Sequence, residues 1–98
     1  MAKTQNETYI RRAITDALRH SGWAVFYIFQ GLGSYKGISD LIAIRDGRTV
    51  FIEVKTQTGR QSDYQKDFQR VCQSHGVTYI LARGVNDVTD LLNFKPLF

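Results

Sequence analysis

The chain has one Cys and one Pro in 98 residues, and only two His. A lone Cys excludes an intrachain disulfide framework, and neither His20 nor His75 has a Cys or His partner at zinc-ligand spacing. A single thiol suits a reducing, intracellular compartment. Pro96 stands at the far end, so Gly does the punctuation elsewhere. No run approaches the ~18 apolar residues that a membrane helix needs, and the polar stretch Met1–Tyr9 predicts no secretory leader. Charge of neither sign dominates: 13 basic and 9 acidic groups leave +4, which allows an anionic partner without requiring one. What is present is ordinary globular material, 43% hydrophobic and 22% charged, of a length that predicts one domain over residues 1–98.

Helical spacing of Ile10, Ala13, Ile14, Ala17 and Leu18 predicts a first helix over Thr4–His20. Thr4 and Glu7 fit a capping box at its start, and Ser21-Gly22 a stop. Trp23–Phe29 is continuously apolar and aromatic, as a strand covered on both faces would be. Gln30–Gly37 reads as a glycine-rich loop. Asp40–Ile44 and Thr49–Lys55 are β-rich runs flanking Asp46-Gly47, a strong hairpin signal. Ser62 and Gln65 form a second capping box, opening a helix whose apolar face is Tyr64, Phe68, Val71 and Cys72 and which Gly76 ends. Val77–Ala82 predicts a fourth strand. Asn86–Phe94 predicts a short third helix with Val88, Leu91 and Leu92 inward. The order α-β-β-β-α-β-α predicts an α/β fold, a mixed sheet flanked by helices.

Register gives the hairpin chemical content. With Asp46-Gly47 as a two-residue loop, Arg45 pairs with Arg48, Ile44 with Thr49 and Ile42 with Phe51. Asp40 then falls opposite Glu53. Directly opposed side chains lie roughly 4.5–5.5 Å apart at Cβ, so two carboxylates there repel. Alternation puts Lys55 on Glu53's face and leaves Leu41, Ala43, Ile52 and Val54 as an apolar core side. A divalent cation such as Mg²⁺ or Mn²⁺ accounts for the pair: hard oxygen ligands suit it, and it relieves the repulsion. The competing reading is a solvated charge ladder at a sheet edge.

Asp40, a hairpin, then Glu53-Val54-Lys55 resembles the PD-(D/E)xK nuclease signature. Glu7 on the first helix, Lys36-Gly37-Ile38-Ser39-Asp40, and Gln65 opening the next helix extend the match. The whole resembles the virus-type replication-repair nuclease (VRR-NUC) family in its short stand-alone phage and bacterial form. The one departure is Ser39, where that pattern usually carries Pro. The resemblance implies a restriction-endonuclease-like core and a Mg²⁺- or Mn²⁺-dependent endodeoxyribonuclease. Asp40, Glu53, the Val54 carbonyl and Glu7 would serve the metal, Lys55 the attacking water, and Gln65 the site from its helix. It further implies branched, Holliday-junction-like DNA as substrate in replication, repair or recombination. A homodimer and a cytoplasmic setting, in a bacterial or phage-infected cell, complete it.

Several of these residues also have a purely structural reading. Glu7 fits the capping box with Thr4, yet it lies on the sheet-facing stripe with Ile10 and Ile14. Gln65 fits a box with Ser62. Lys36, Ser39 and Tyr35 either meet DNA or merely complete a loop. Arg60, Lys66 and Arg70 either track a phosphate backbone or form a solvated face. Cys72, on an apolar helix face without a His, reads as a buried structural thiol. The alternative function is a non-catalytic nucleic-acid-binding module that keeps the fold; a purely structural domain leaves the carboxylate pair unexplained. If Glu7, Asp40 and Glu53 line one metal pocket with Lys55, the rest of the chain carries twelve basic groups against six acidic, more basic than the total suggests.

Overall fold

The structure is a computed structural model that describes residues 6–29 and 35–93. Helix α1 (Glu7–His20) leads into strand β1 (Ala24–Tyr27). The hairpin β2 (Leu41–Arg45) and β3 (Arg48–Val54) follows, then α2 (Asp63–Ser74) and β4 (Thr78–Ala82). A 3₁₀ turn, Val85–Val88, runs into the short α3 (Thr89–Leu92). The sheet order is β1-β2-β3-β4, antiparallel at the first two junctions and parallel between β3 and β4. The parallel junction needs a crossover, and α2 supplies it.

The hairpin pairs in the register that the two-residue loop dictates: Arg45 with Arg48, Ile42 with Phe51 and Leu41 with Ile52. Both loop residues have positive φ, Asp46 at 47° and Gly47 at 80°, as the turn type that matches strand twist demands. Leu41, Ala43, Val50, Ile52 and Val54 form the buried inner face of the sheet. Ile10, Ile14 and Leu18 of α1 cover it, and Val88 and Leu91 close the end. The buried Trp23 indole N–H donates to the Leu91 carbonyl at 2.9 Å, tying the connection between α1 and β1 to α3 without leaving a polar group orphaned.

Three expectations are corrected. α1 begins at Glu7 rather than Thr4. Its N-cap is Asn6, whose side chain accepts the Tyr9 N–H at 2.7 Å, and Thr4 lies outside the described residues. Glu7 is therefore the first helical residue and not the third, so no capping box with Thr4 explains it. Trp23–Phe29 is not a strand covered on both faces. β1 is the edge of the sheet, four residues long, with Val25 buried and Ala24, Phe26 and Tyr27 exposed. On α2, Phe68 and Cys72 face inward while Tyr64 and Val71 lie exposed. α2 sits toward β4, so the two outer aliphatic or aromatic positions of its stripe have no sheet beneath them. Burial also raises the pKa of the Cys72 thiol, consistent with a packing role. No described helix is long and apolar enough to cross a membrane.

Candidate functional site

Asp40 ends the loop before β2, and Glu53 is the penultimate residue of β3, the position that continues the hairpin register to Asp40. Strand alternation turns Glu53 with Phe51 away from the α1-covered face. There Phe68 of α2 packs on Phe51 with ring centroids 5.2 Å apart, and Gln65 reaches Glu53. Glu53 is 1% exposed, in a central strand. That burial disposes of the solvated charge ladder: an exposed acid costs little, whereas a buried one must be compensated.

The compensation is incomplete. Gln65 donates its side-chain N–H to Glu53 Oε1 at 3.2 Å, but Glu53 Oε2 is buried with no hydrogen-bond partner. Asp40 is held by the Val54 backbone N–H, which donates to its Oδ2 at 2.8 Å. Burial first, then hydrogen bonding to Asp40 and the repulsion of its charge, push Glu53 up to about 9. Lys55 opposes the rise and Glu7 adds to it. If both acids are ionised, neither has a proton to give the other and Oε2 is left without a donor. A proton or a cation must fill that role. Two hard carboxylates, one with an orphaned oxygen, fit a divalent cation.

Gln65 reconciles its two readings. Its Oε1 accepts the Ser62 N–H at 2.8 Å while its own N–H meets Ser62 Oγ at 3.2 Å, the complete capping box. Its amide N–H is then left for Glu53. One amide thus fixes the start of α2 and aims at the carboxylate pair.

The loop before Asp40 is fitted to this helix start. Gly37 has φ +86°, and a Cβ there would stand 2.2 Å from the Tyr64 carbonyl oxygen and 2.8 Å from the Gln65 nitrogen. Lys36 Nζ lies 5.1 Å from the centroid of the Tyr64 ring, and the Tyr35 ring lies 6.2 Å from Phe68. Both side chains are exposed and pack on α2. Ser39 is fully buried and its Oγ donates to the Leu41 carbonyl at 3.0 Å. It braces the loop and does not present a hydroxyl to a phosphate, contrary to one of its two sequence readings. Arg60 and Lys66 are exposed near the start of α2.

The structure therefore brings together Asp40, Glu53, Val54 and Gln65, with Lys55 partly buried at the strand end. It does not bring Glu7 into contact: among the described residues no group of three His, Cys, Asp or Glu side chains converges on an ion site. Glu7 stands in the first turn of α1, where a carboxylate favours the helix dipole. Arg11 was missed from sequence. It lines a cavity with Asp40, and the signal available was its place one helical turn after Glu7.

A hairpin carrying Asp and Glu-x-Lys, with a helix before it and a βαβ crossover after it, defines a nuclease-type α/β fold. A family model described as the VRR-NUC domain matches residues 3–86. The chain belongs to the VRR-NUC family, a family of nucleases that typically use divalent metals. A solved structure titled "VRR_NUC domain" is similar in fold, with a TM-score of 0.75 over 92% of this chain and 97% of that one, at 17% identity. No curated protein matches the chain.

Proposed function

We propose that the chain is a Mg²⁺- or Mn²⁺-dependent endonuclease that hydrolyses DNA phosphodiester bonds and favours branched or otherwise distorted DNA. The observation that carries this reading is the buried Asp40–Glu53 pair with one orphaned carboxylate oxygen. Asp40, Glu53 and the Val54 carbonyl would hold the ion, which when bound neutralises the pair and supplies Lewis-acid polarisation of the scissile phosphate and an acidified water. Glu7 contributes through its charge.

The chain's own groups do the rest. The Val54 N–H fixes the orientation of the Asp40 carboxylate. Gln65 fixes that of Glu53. Lys55, next along the strand from this pair, orients the attacking water and stabilises the negative charge that builds on the phosphoryl oxygens. Lys36, Arg60 and Lys66 add positive charge on the loop and α2 side, where a DNA backbone would run.

Asp40→Ala is expected to lower cleavage by at least about 10³-fold, because it removes one of two anionic ligands. Wild type and variant should be compared on junction, flap, bubble and linear duplex DNA with Mg²⁺ and with Mn²⁺. Full activity in the variant would sink the mechanism. Wild-type binding indifferent to metal, with no cleavage of any substrate, would make the protein a non-catalytic nucleic-acid-binding module.

The reading includes a homodimer, since paired nicks in a four-way substrate need two sites. The exposed Phe26 on the edge strand β1 supplies one surface for it; the other sequence-derived surface, Phe94–Phe98, lies outside the described residues. Sedimentation at micromolar concentration is expected to give twice the chain mass. A one-chain mass would remove the dimer but not the active site.

A further inference from the structure

A cavity of about 250 Å³ opens beside Asp40, lined by Arg11, Tyr27, Ile28, Phe29 and Asp40. None of its residues except Asp40 has a part in the proposed hydrolysis. The Arg11 guanidinium lies 5.5 Å from the centroid of the Tyr27 ring. The ion pairs among the described residues are Arg45–Asp46 and Arg70–Asp67, so Arg11 is in none of them and brings a positive charge to the cavity wall. Phe29 is 93% exposed and Tyr27 51%. Tyr27 ends β1 and Phe29 lies two residues beyond it, so two exposed rings stand at the cavity, where a planar group can stack on them. The Ile28 N–H donates to the Asp40 carbonyl at 2.8 Å, so this aromatic strand end is held at a fixed distance from the candidate metal ligand.

We propose that this cavity is a subsite for one unpaired nucleotide adjoining the scissile phosphate, its base stacked on Tyr27 and Phe29 and its phosphate facing Arg11. The inference rests on the nuclease reading above and deepens it by naming the substrate feature that is selected. The space lies below the ~300 Å³ at which drug-sized pockets begin, so it admits one ring system and not a base pair. A base can enter only by leaving its stack, which costs least where it is already unpaired. Base–aromatic stacking is worth ~1–3 kcal/mol per base and is indifferent to base identity. The subsite therefore selects DNA structure rather than sequence.

The test uses a duplex and the same duplex with a short bubble containing 2-aminopurine, bound in Ca²⁺ and separately cleaved in Mg²⁺. Wild type is expected to bind the bubble more tightly than the duplex and to quench the 2-aminopurine. Phe29→Ala, a change at an exposed position, is expected to lose most of the quenching and to weaken bubble binding by roughly 5- to 150-fold, leaving duplex binding within about twofold. Arg11→Gln is expected to weaken bubble binding and flatten its salt dependence. If Phe29→Ala retains the quenching and the bubble preference, the subsite is refuted. A wild type that cleaves DNA with neither quenching nor bubble preference overturns the subsite alone. One that quenches but cleaves nothing supports the subsite and overturns the nuclease reading.

Discussion

Replacing Glu53 with Gln is expected to make the metal-free protein more stable and to abolish cleavage. The carboxylate is buried against Asp40, one of its oxygens has no donor, and its pKa is pushed up to about 9. Gln is nearly isosteric. Its carbonyl can still accept from Gln65, and its N–H₂ gives Asp40 the donor that the carboxylate lacks. A gain of about 2 kcal/mol at pH 8, on the order of 10 °C in Tm for a domain of this size, is the expected result.

The pH dependence has a definite sign. An acid whose folded-state pKa stands above its ordinary value of 4.5 keeps its proton in the folded state over a range where the unfolded chain has released it. Its contribution to stability is whole below about 4.5 and is lost as pH rises toward about 9, with a slope of at most ~1.4 kcal/mol per pH unit. Metal-free wild type should therefore melt at progressively lower temperature between pH 5 and about 9, and the difference from Glu53→Gln should widen over that window. Millimolar Mg²⁺ should remove the difference by stabilising wild type alone, since the cation takes the proton's place. Calorimetry of both proteins across pH, with and without Mg²⁺, checks all three statements. A variant less stable than wild type at pH 8 would mean that the carboxylate is already satisfied.

Which parts of this molecule were legible in sequence follows from which signals are local. Asp46-Gly47 sets the loop length, loop length sets the register, and register alone brings Asp40 opposite Glu53. Each step is short-range, so each could be taken without coordinates. The Ser62–Gln65 box is equally local. β1 failed for the converse reason. Trp23–Phe29 carries no period-two pattern, so nothing in it says which face is covered, and its place at the sheet edge is decided by strands later in the chain. Thr4 and Glu7 match the capping-box spacing and so point to a start of α1 at Thr4, whereas the Tyr9 N–H donates to the Asn6 side chain and makes Asn6 the cap. Arg11 and Phe29 could not be joined to Asp40 from sequence, because their meeting depends on how α1 lies across the end of β1. The orphaned oxygen of Glu53 is likewise a three-dimensional fact: residue types gave the repulsion, but only the seating of α2 removes the water.

Gly37→Ala is expected to cost far more than the same change at Gly47, although both glycines have nearly the same backbone conformation, φ 86° and 80°. At either site an alanine pays roughly 1–2 kcal/mol for the left-handed region. At Gly47 that is the whole cost, since nothing lies within 4 Å of the added Cβ. At Gly37 the Cβ would meet the Tyr64 carbonyl oxygen at 2.2 Å and the Gln65 nitrogen at 2.8 Å, backbone atoms that cannot rotate aside. Either the loop that carries Asp40 lifts off or the first turn of α2 shifts. The first movement draws Asp40 away from the Val54 N–H and Glu53, and the second draws Gln65 away from Glu53. Gly37→Ala should therefore lose about 3–5 kcal/mol in urea titration against about 1–2 kcal/mol for Gly47→Ala. Its folded fraction should also cleave at least tenfold more slowly, the range found when a group that orients a metal ligand is disturbed. Equal losses of stability and activity at the two glycines would show that the loop does not need to seat on the helix start for the carboxylate pair to form.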